Sequence, residues 1–237
     1  MEATSLAEVW QDVFRTQPAP PYWLVAAAGV VALGLVLTSG PWRVARNVVT
    51  IAHEGGHAVV ALVSGRQLTG IRLHSDTSGV TVSRGRPDGI GMILTVAAGY
   101  ITPSLVGLVG ILLLMNDRIT MLLWMSILVL AAMLLLIRNV YGVVSLVGTG
   151  ALVFLVSWFT PAEVQAAFAY LFTWFMLVAG VRPVFELQGQ RVRQPSPHSD
   201  ADQLDRLTGV PGTAWVFFFG AVNVAVLAFG VWLLLFP

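Results

Sequence analysis

Five residues carry the clearest chemistry in the chain: His53, Glu54, Gly55, Gly56 and His57 spell H-E-x-x-H inside the apolar run VVTIAHEGGHAVVALV. On an α-helix, positions i and i+4 lie about 40° apart and one turn along the same face, so both imidazoles can reach one metal ion. Glu54 then stands beside them as a general base. Zn2+ accepts imidazole nitrogen and lowers the pKa of a bound water to about 7, which supplies a nucleophile at neutral pH. The chemistry implied is hydrolysis, of a peptide bond above all. The competing explanation is chance combined with local hydrogen bonding. Against it, the chain has only four histidines, and ionisable groups in an apolar span cost several kcal/mol (roughly) when left without a function or a partner.

Two histidines leave a catalytic zinc one protein ligand short, because such sites hold three protein groups and keep a fourth position open. Cysteine is absent, so disulfides, thiolate catalysis and Cys-type ligation are all excluded. The remaining carboxylates near the expected site are Asp76, Asp88, Glu186, Asp200, Asp202 and Asp205, and the spare imidazoles are His74 and His198. SPHSDADQL is the densest such cluster, and within it Asp200 is favoured over Asp202. The same residues read as a helix start, with Ser199 or Asp200 capping free amides and Asp202 favoured by the helix dipole. Cap and ligand are compatible roles for neighbours. His74 reads as a hairpin residue, and His198 as a substitute ligand.

The elements that must position these groups are membrane helices. At 237 residues, 57% hydrophobic and 11% charged, the chain has too little polar surface to cover a water-soluble globule. A net charge of +1 with no basic block argues against a nucleic-acid partner. The fold expected is an all-α polytopic membrane protein with about seven transmembrane helices and one small cytoplasmic β-hairpin. The apolar runs are 23–38, 44–63 (carrying the motif), 90–115, 119–137, 140–159, 164–181 and 213–236. Ser39, Gly40 and Pro41 read as the turn between the first two. The stretch 1–22 is a polar N-terminal segment without the basic region and cleavage site of a secretory signal, so the first run reads as a retained span. Residues 65–88 alternate around SDTSG as a hairpin does, and 182–211 reads as a cytoplasmic loop entering a short helix. One membrane-embedded domain, 1–237, is expected. Lysine is absent, and strict alternation from a cytoplasmic N-terminus leaves only Arg43, Arg46 and Arg118 outside, which fits the positive-inside rule. That orientation puts the motif, the hairpin and the long loop at the cytoplasmic face of the cell membrane.

With these residues in view, the chain resembles the site-two protease family of intramembrane zinc metalloproteases, in its compact branch without a PDZ domain. HEGGHA carries the family's glycine before the second histidine at Gly56, and a short β element follows. AAGYITPS is similar to the branch's Gly-Pro helix, with Gly99 and Pro103 in the corresponding places, and HSDADQLDRLTGVPGTAWVF is similar to its closing signature. The likeness runs from about Arg46 onward. It departs in one respect: the chain has no Asp-Gly in a later membrane helix, and its only one, Asp88-Gly89, precedes the third run. The resemblance implies a protease that cuts membrane-protein substrates within the lipid bilayer by a zinc-activated water, with His53, His57 and Asp200 holding Zn2+ and Glu54 as the base. Two other classes compete with it. A catalytically inactive pseudoprotease would act as a membrane scaffold or chaperone, and a small transporter would show paired halves with broken helices, which the sequence lacks. An edge of TGIRLH or GVTVSR is a place where an extended substrate adds as a strand. Asn139 and Asn223 read as interhelical hydrogen-bonding groups.

Overall fold

A computed structural model of the chain describes residues 11, 13–193 and 199–236. Nine helices and one hairpin follow each other among the described residues: α1 (Tyr22–Leu37), α2 (Ser39–Val63), β1 (Gln67–Leu73), β2 (Gly79–Arg84), α3 (Ile90–Leu114), α4 (Ile119–Leu134), α5 (Val140–Phe159), α6 (Ala162–Ala179), α7 (Arg182–Arg193), α8 (Asp200–Thr208) and α9 (Gly212–Leu235). Each of the seven apolar runs becomes one helix. Seven crossings do not follow from that. Four stretches are long and apolar enough to span a membrane, namely α3, α5, α9 and the nearly continuous α6–α7. The pair α1 and α2 makes a fifth if counted as one bent span, and α4 is a shorter apolar helix.

The correction originates at Thr38. Its backbone is extended (φ −90°, ψ 133°), and the chain bends by 100° between α1 and α2. Ser39, Gly40 and Pro41, expected as a turn, instead form the first turn of α2, where proline's missing N–H removes no helical hydrogen bond. Contacts before α1 decide which end of the bundle the chain comes from. Gln17 N donates to the Asp117 carbonyl (2.9 Å), its side-chain amide lies 2.5 Å from Thr120 Oγ1 and 3.3 Å from Gln165 Oε1, and Arg118 donates to the Phe14 carbonyl. Residues 14–18 are therefore strapped to the α3–α4 and α5–α6 turns. The far end of α2 meets the start of α3, with Ser64 Cβ 3.2 Å from where a Cβ on Gly91 would sit. Between the strap and the hairpin the chain changes ends once, where two full spans would have returned it. The expectation that Arg15 shares an end with the hairpin is overturned for this reason.

The stretch 182–211 also differs from the expected loop. Arg182–Arg193 is helical and extends α6, with Val184 and Leu187 buried and an i,i+4 ion pair between Arg182 and Glu186 (2.9 Å). The charges that lowered its apolarity in the sequence are the ones that stabilise the helix.

The hairpin is as expected in kind. β1 and β2 pair antiparallel from Gln67↔Arg84 to Leu73↔Gly79, with an irregularity between Leu68 and Gly70. In the turn, Asp76 Oδ1 accepts from Ser78 N (2.9 Å) and Ser78 Oγ (2.6 Å), and Thr77 takes the left-handed conformation (φ 67°). These Ser78 hydrogen bonds hold the Asp76 carboxyl below its ordinary pKa. The other edge of β1 is occupied by the segment after α4: Ile71 N donates to Leu136 O (2.8 Å) and Arg138 N to Ile71 O (2.9 Å). Asn139 continues that pairing with its side chain, taking Leu73 N (3.2 Å) and giving to Leu73 O (2.6 Å). Asn139 thus acts as a surrogate strand residue rather than a tie between helices.

Helix contacts rely on small residues, as expected where lipid removes the usual hydrophobic drive between helices. A Cβ on Gly107 would lie 2.8 Å from Leu177 Cγ. Asn223, fully buried, ties three helical turns together by receiving Ser104 Oγ (2.5 Å) and donating to the carbonyls of Tyr100 (3.0 Å) and Phe219 (2.7 Å). The Tyr100 bond falls one residue from the Gly99 carbonyl, whose helical donor Pro103 removes.

Candidate metal centre

Three side chains from two distant parts of the chain converge. His53 and His57 project from α2, and Asp200 from the first residue of α8. His57 Nε2 is 3.0 Å from His53 Nε2, and Asp200 Oδ2 is 3.2 Å from His53 Nε2 and 3.3 Å from His57 Nε2. A tetrahedral zinc with ligands at about 2.0–2.1 Å has ligand-to-ligand edges of about 3.3 Å. The triangle observed fits that requirement, and the group is one that could hold a metal ion.

Two further observations bear on the fit. His57 Nδ1 lies 2.7 Å from the Thr95 carbonyl, which has only lone pairs, so Nδ1 carries the proton and Nε2 presents its lone pair to the centre. Asp200 Oδ2 is buried without a hydrogen-bond donor in good geometry among the described residues. The His57 lone pair and the Asp200 carboxylate oxygen, pointed at one another, repel unless a metal ion or a proton lies between them.

Backbone leaves room for the ion. A Cβ on Gly99 of α3 would lie 2.5 Å from His57 Nε2 and 2.6 Å from His53 Nε2, filling the cradle. Gly56 plays the matching part on α2, where a Cβ would collide with Thr102. The wall opposite is aromatic: Tyr100 meets His53 edge-on at 4.8 Å and stacks on Phe219 at 5.3 Å.

Asp202 stands elsewhere. Arg191 of α7 grips it bidentately, with Nη2 2.7 Å from Oδ1 and Nε 3.2 Å from Oδ2, and Ser199 Oγ donates to its Oδ2 (2.5 Å). Its backbone N–H donates in return to Ser199 Oγ (3.3 Å), so Ser199 is the cap of α8. The Arg191 hydrogen bonds lower the Asp202 pKa. Other acidic groups are also committed: Asp205 accepts from Gly212 N (3.1 Å), Glu186 from Trp42 (2.9 Å) and Arg182, and Asp88 faces Arg86 on the surface. His74 sits in the hairpin turn beside Ser78 (3.3 Å). His198 lies outside the described residues.

Glu54 is not part of the triangle. It is 3% exposed, and Thr81 Oγ1 of β2 donates to its Oε2 (2.6 Å). Thr81, Gly79, Thr95, Tyr100 and Arg191 were not singled out from the sequence. The only signal for the first two was the alternation of GVTVSR, which puts Gly79, Thr81 and Ser83 on one face. An apolar cleft of about 430 Å3 lies between α1, α2, α5 and α6, and none of the residues above lines it.

A helical membrane-type bundle with a paired-strand element and a His-His-Asp cluster defines a narrow class. The sequence profile described as Peptidase M50B-like matches residues 26–230, and the chain belongs to that family, a site-two protease family. No curated protein and no solved structure matches the chain.

Proposed function

We propose that the chain is an intramembrane zinc metalloprotease that hydrolyses peptide bonds of membrane-protein substrates. The observation that carries this reading is the triangle of His53 Nε2, His57 Nε2 and Asp200 Oδ2, whose sides of 3.0–3.3 Å suit one tetrahedral ion. In this reading those three residues hold Zn2+. When bound there, the ion supplies Lewis acidity toward a carbonyl and a water molecule. Thr95 orients His57, the Asp200 carboxylate offsets the positive charge, and Glu54 takes the proton from the attacking water and passes it to the leaving amine. The substrate must be unwound, because a helical peptide bond is shielded by its own hydrogen bonds. β1 has both edges occupied, so the outer edge of β2 is where an extended segment would add.

Arginine supports a location at the cytoplasmic side of the cell membrane. Of thirteen basic residues, Arg15 and Arg118 lie at the strap end, and the others belong to α2, the hairpin, its flanks or the 182–211 region. With the bend included, the positive-inside bias is stronger than strict alternation gave. Single cysteines in the cysteine-free chain test it: one at Thr16 and one at Asn116 label from outside intact cells with an impermeant thiol reagent, while one at Ser78 does not. Labelling at Ser78 inverts the orientation.

The proteolysis test is Glu54→Gln. The variant retains about one zinc per chain and loses cleavage by 10²-fold or more. Undiminished cleavage overturns the protease reading, and an inactive wild type that retains zinc favours the pseudoprotease.

A further inference from the structure

We propose that β2 positions the general base, with Thr81 as the residue that aims it and Gly79 as the residue that lets the strand come close enough. The proposal rests on the reading of Glu54 as base and adds the device that holds its carboxylate. Glu54 has no arginine or histidine partner within salt-bridge distance among the described residues. Its Oε2 instead receives Thr81 Oγ1 at 2.6 Å, while the same hydroxyl is 3.2 Å from the Glu54 carbonyl. One hydroxyl has one proton, and the shorter contact to a carboxylate is the stronger bond. The carboxylate is therefore held by a strand that lies far from α2 in pairing order but against it in space.

Gly79 makes that proximity possible. A Cβ there would lie 2.5 Å from Glu54 Oε1, 2.6 Å from Cγ and 2.7 Å from Cδ, so any side chain would push the carboxylate out of place. The strand is itself anchored to α2 one turn earlier, where Thr50 Oγ1 donates to the Thr77 carbonyl (2.8 Å). Inner face and outer edge are thus combined in one six-residue strand: Gly79 and Thr81 face the base, and the edge that an extended substrate would pair with lies on the same backbone. A substrate that stiffens β2 also stiffens the support of Glu54. Base positioning is then coupled to the arrival of an extended chain.

The mechanism calls for three variants beside Glu54→Gln, assayed in detergent micelles with β-casein as an unfolded-chain substrate. Thr81→Val, which keeps the shape and removes the donor, lowers kcat about 10- to 100-fold with KM and zinc content unchanged, the cost of a misplaced catalytic group. Thr81→Ser restores it. Gly79→Ala lowers kcat similarly and keeps zinc. A second readout does not depend on turnover: the Glu54 carboxylate stretch, isolated as the infrared difference between wild type and Glu54→Gln, shifts in Thr81→Val and returns in Thr81→Ser. An unshifted band in Thr81→Val, or wild-type kcat in that variant while Glu54→Gln is dead, overturns the positioning role. Equal activity of wild type and Glu54→Gln overturns the protease reading instead.

Discussion

The two halves of the candidate metal centre are built in opposite ways. His53 and His57 come from a 25-residue helix packed along α3, where the spacing is set by helix geometry and the orientation by Thr95 and by the glycine contacts at Gly56 and Gly99. Asp200 comes from a nine-residue helix whose start is held by a Ser199 cap and the Arg191–Asp202 pair, and whose apolar face buries only Ala201 and Leu204. The first half is assembled as soon as α2 and α3 pack. The second depends on two buried side chains, Ala201 and Leu204, packed among α3, α7 and α9, and on the polar clamp from α7, because an isolated helix of that length is marginal. A site divided in this way should fail all at once from one side and by degrees from the other.

The sharpest break comes from the rigid half. Gly99→Ala places a methyl group in the space between the two imidazoles, and metal analysis of the purified variant should find zinc lost as completely as in His57→Ala. Asp200→Ala should come close to that; if it keeps full zinc, the third ligand lies elsewhere and the comparison collapses. Next in size is the clamp. Arg191→Gln keeps all three side chains of the triangle but removes the clamp on the start of α8, and competition with a chelator should show zinc held about 10-fold more weakly, the range typical of outer-shell partners. A loss as large as that of Asp200→Ala would mean that the second half is as cooperative as the first.

The Arg191–Asp202 pair also gives a pH test. Asp202 has a lowered folded pKa, so its contribution is fully present above the unfolded carboxyl value of about 3.9 and is lost as pH falls through the folded one. The difference in thermal midpoint between wild type and Asp202→Asn should therefore be constant from neutral pH to about pH 5 and shrink below about pH 4. A difference that grows on acidification contradicts the pairing. The smallest effect belongs to Ser199→Ala, which removes only the cap and should cost about 1 kcal/mol of local stability, seen as faster hydrogen exchange in α8 with zinc content unchanged.

Much of this arrangement was legible in the sequence, for physical reasons that also mark where reading stops. His53, Glu54 and His57 announce themselves because helical period places ligands by number alone. The hairpin was legible because SDTSG between alternating strands leaves little else for that segment to do. Asp200 was preferred over Asp202 on pattern, and the geometry puts the first beside the histidines and the second in the grip of Arg191. The bend at Thr38 was not legible, since hydropathy records how apolar a run is and carries no direction. Nor was α7, where paired charges disguise a helix as a loop. Thr81 was the least visible: nothing in GVTVSR marks its threonine as the partner of a glutamate 27 residues earlier once the strand folds back.

The strap at residues 14–18 has a practical consequence when combined with the course of α9. That helix starts beside Arg191 and runs toward the level of Ile111, against which Gly230 packs, so it finishes at the end of the bundle where the strap is fastened. In the proposed orientation, reporter proteins fused before α1 or after α9 sit in the same compartment, across the membrane from the histidines. Either attachment point leaves the hairpin and α8 unencumbered, and matched signals from the two fusions would read out the parity of the chain's passages without touching the chemistry.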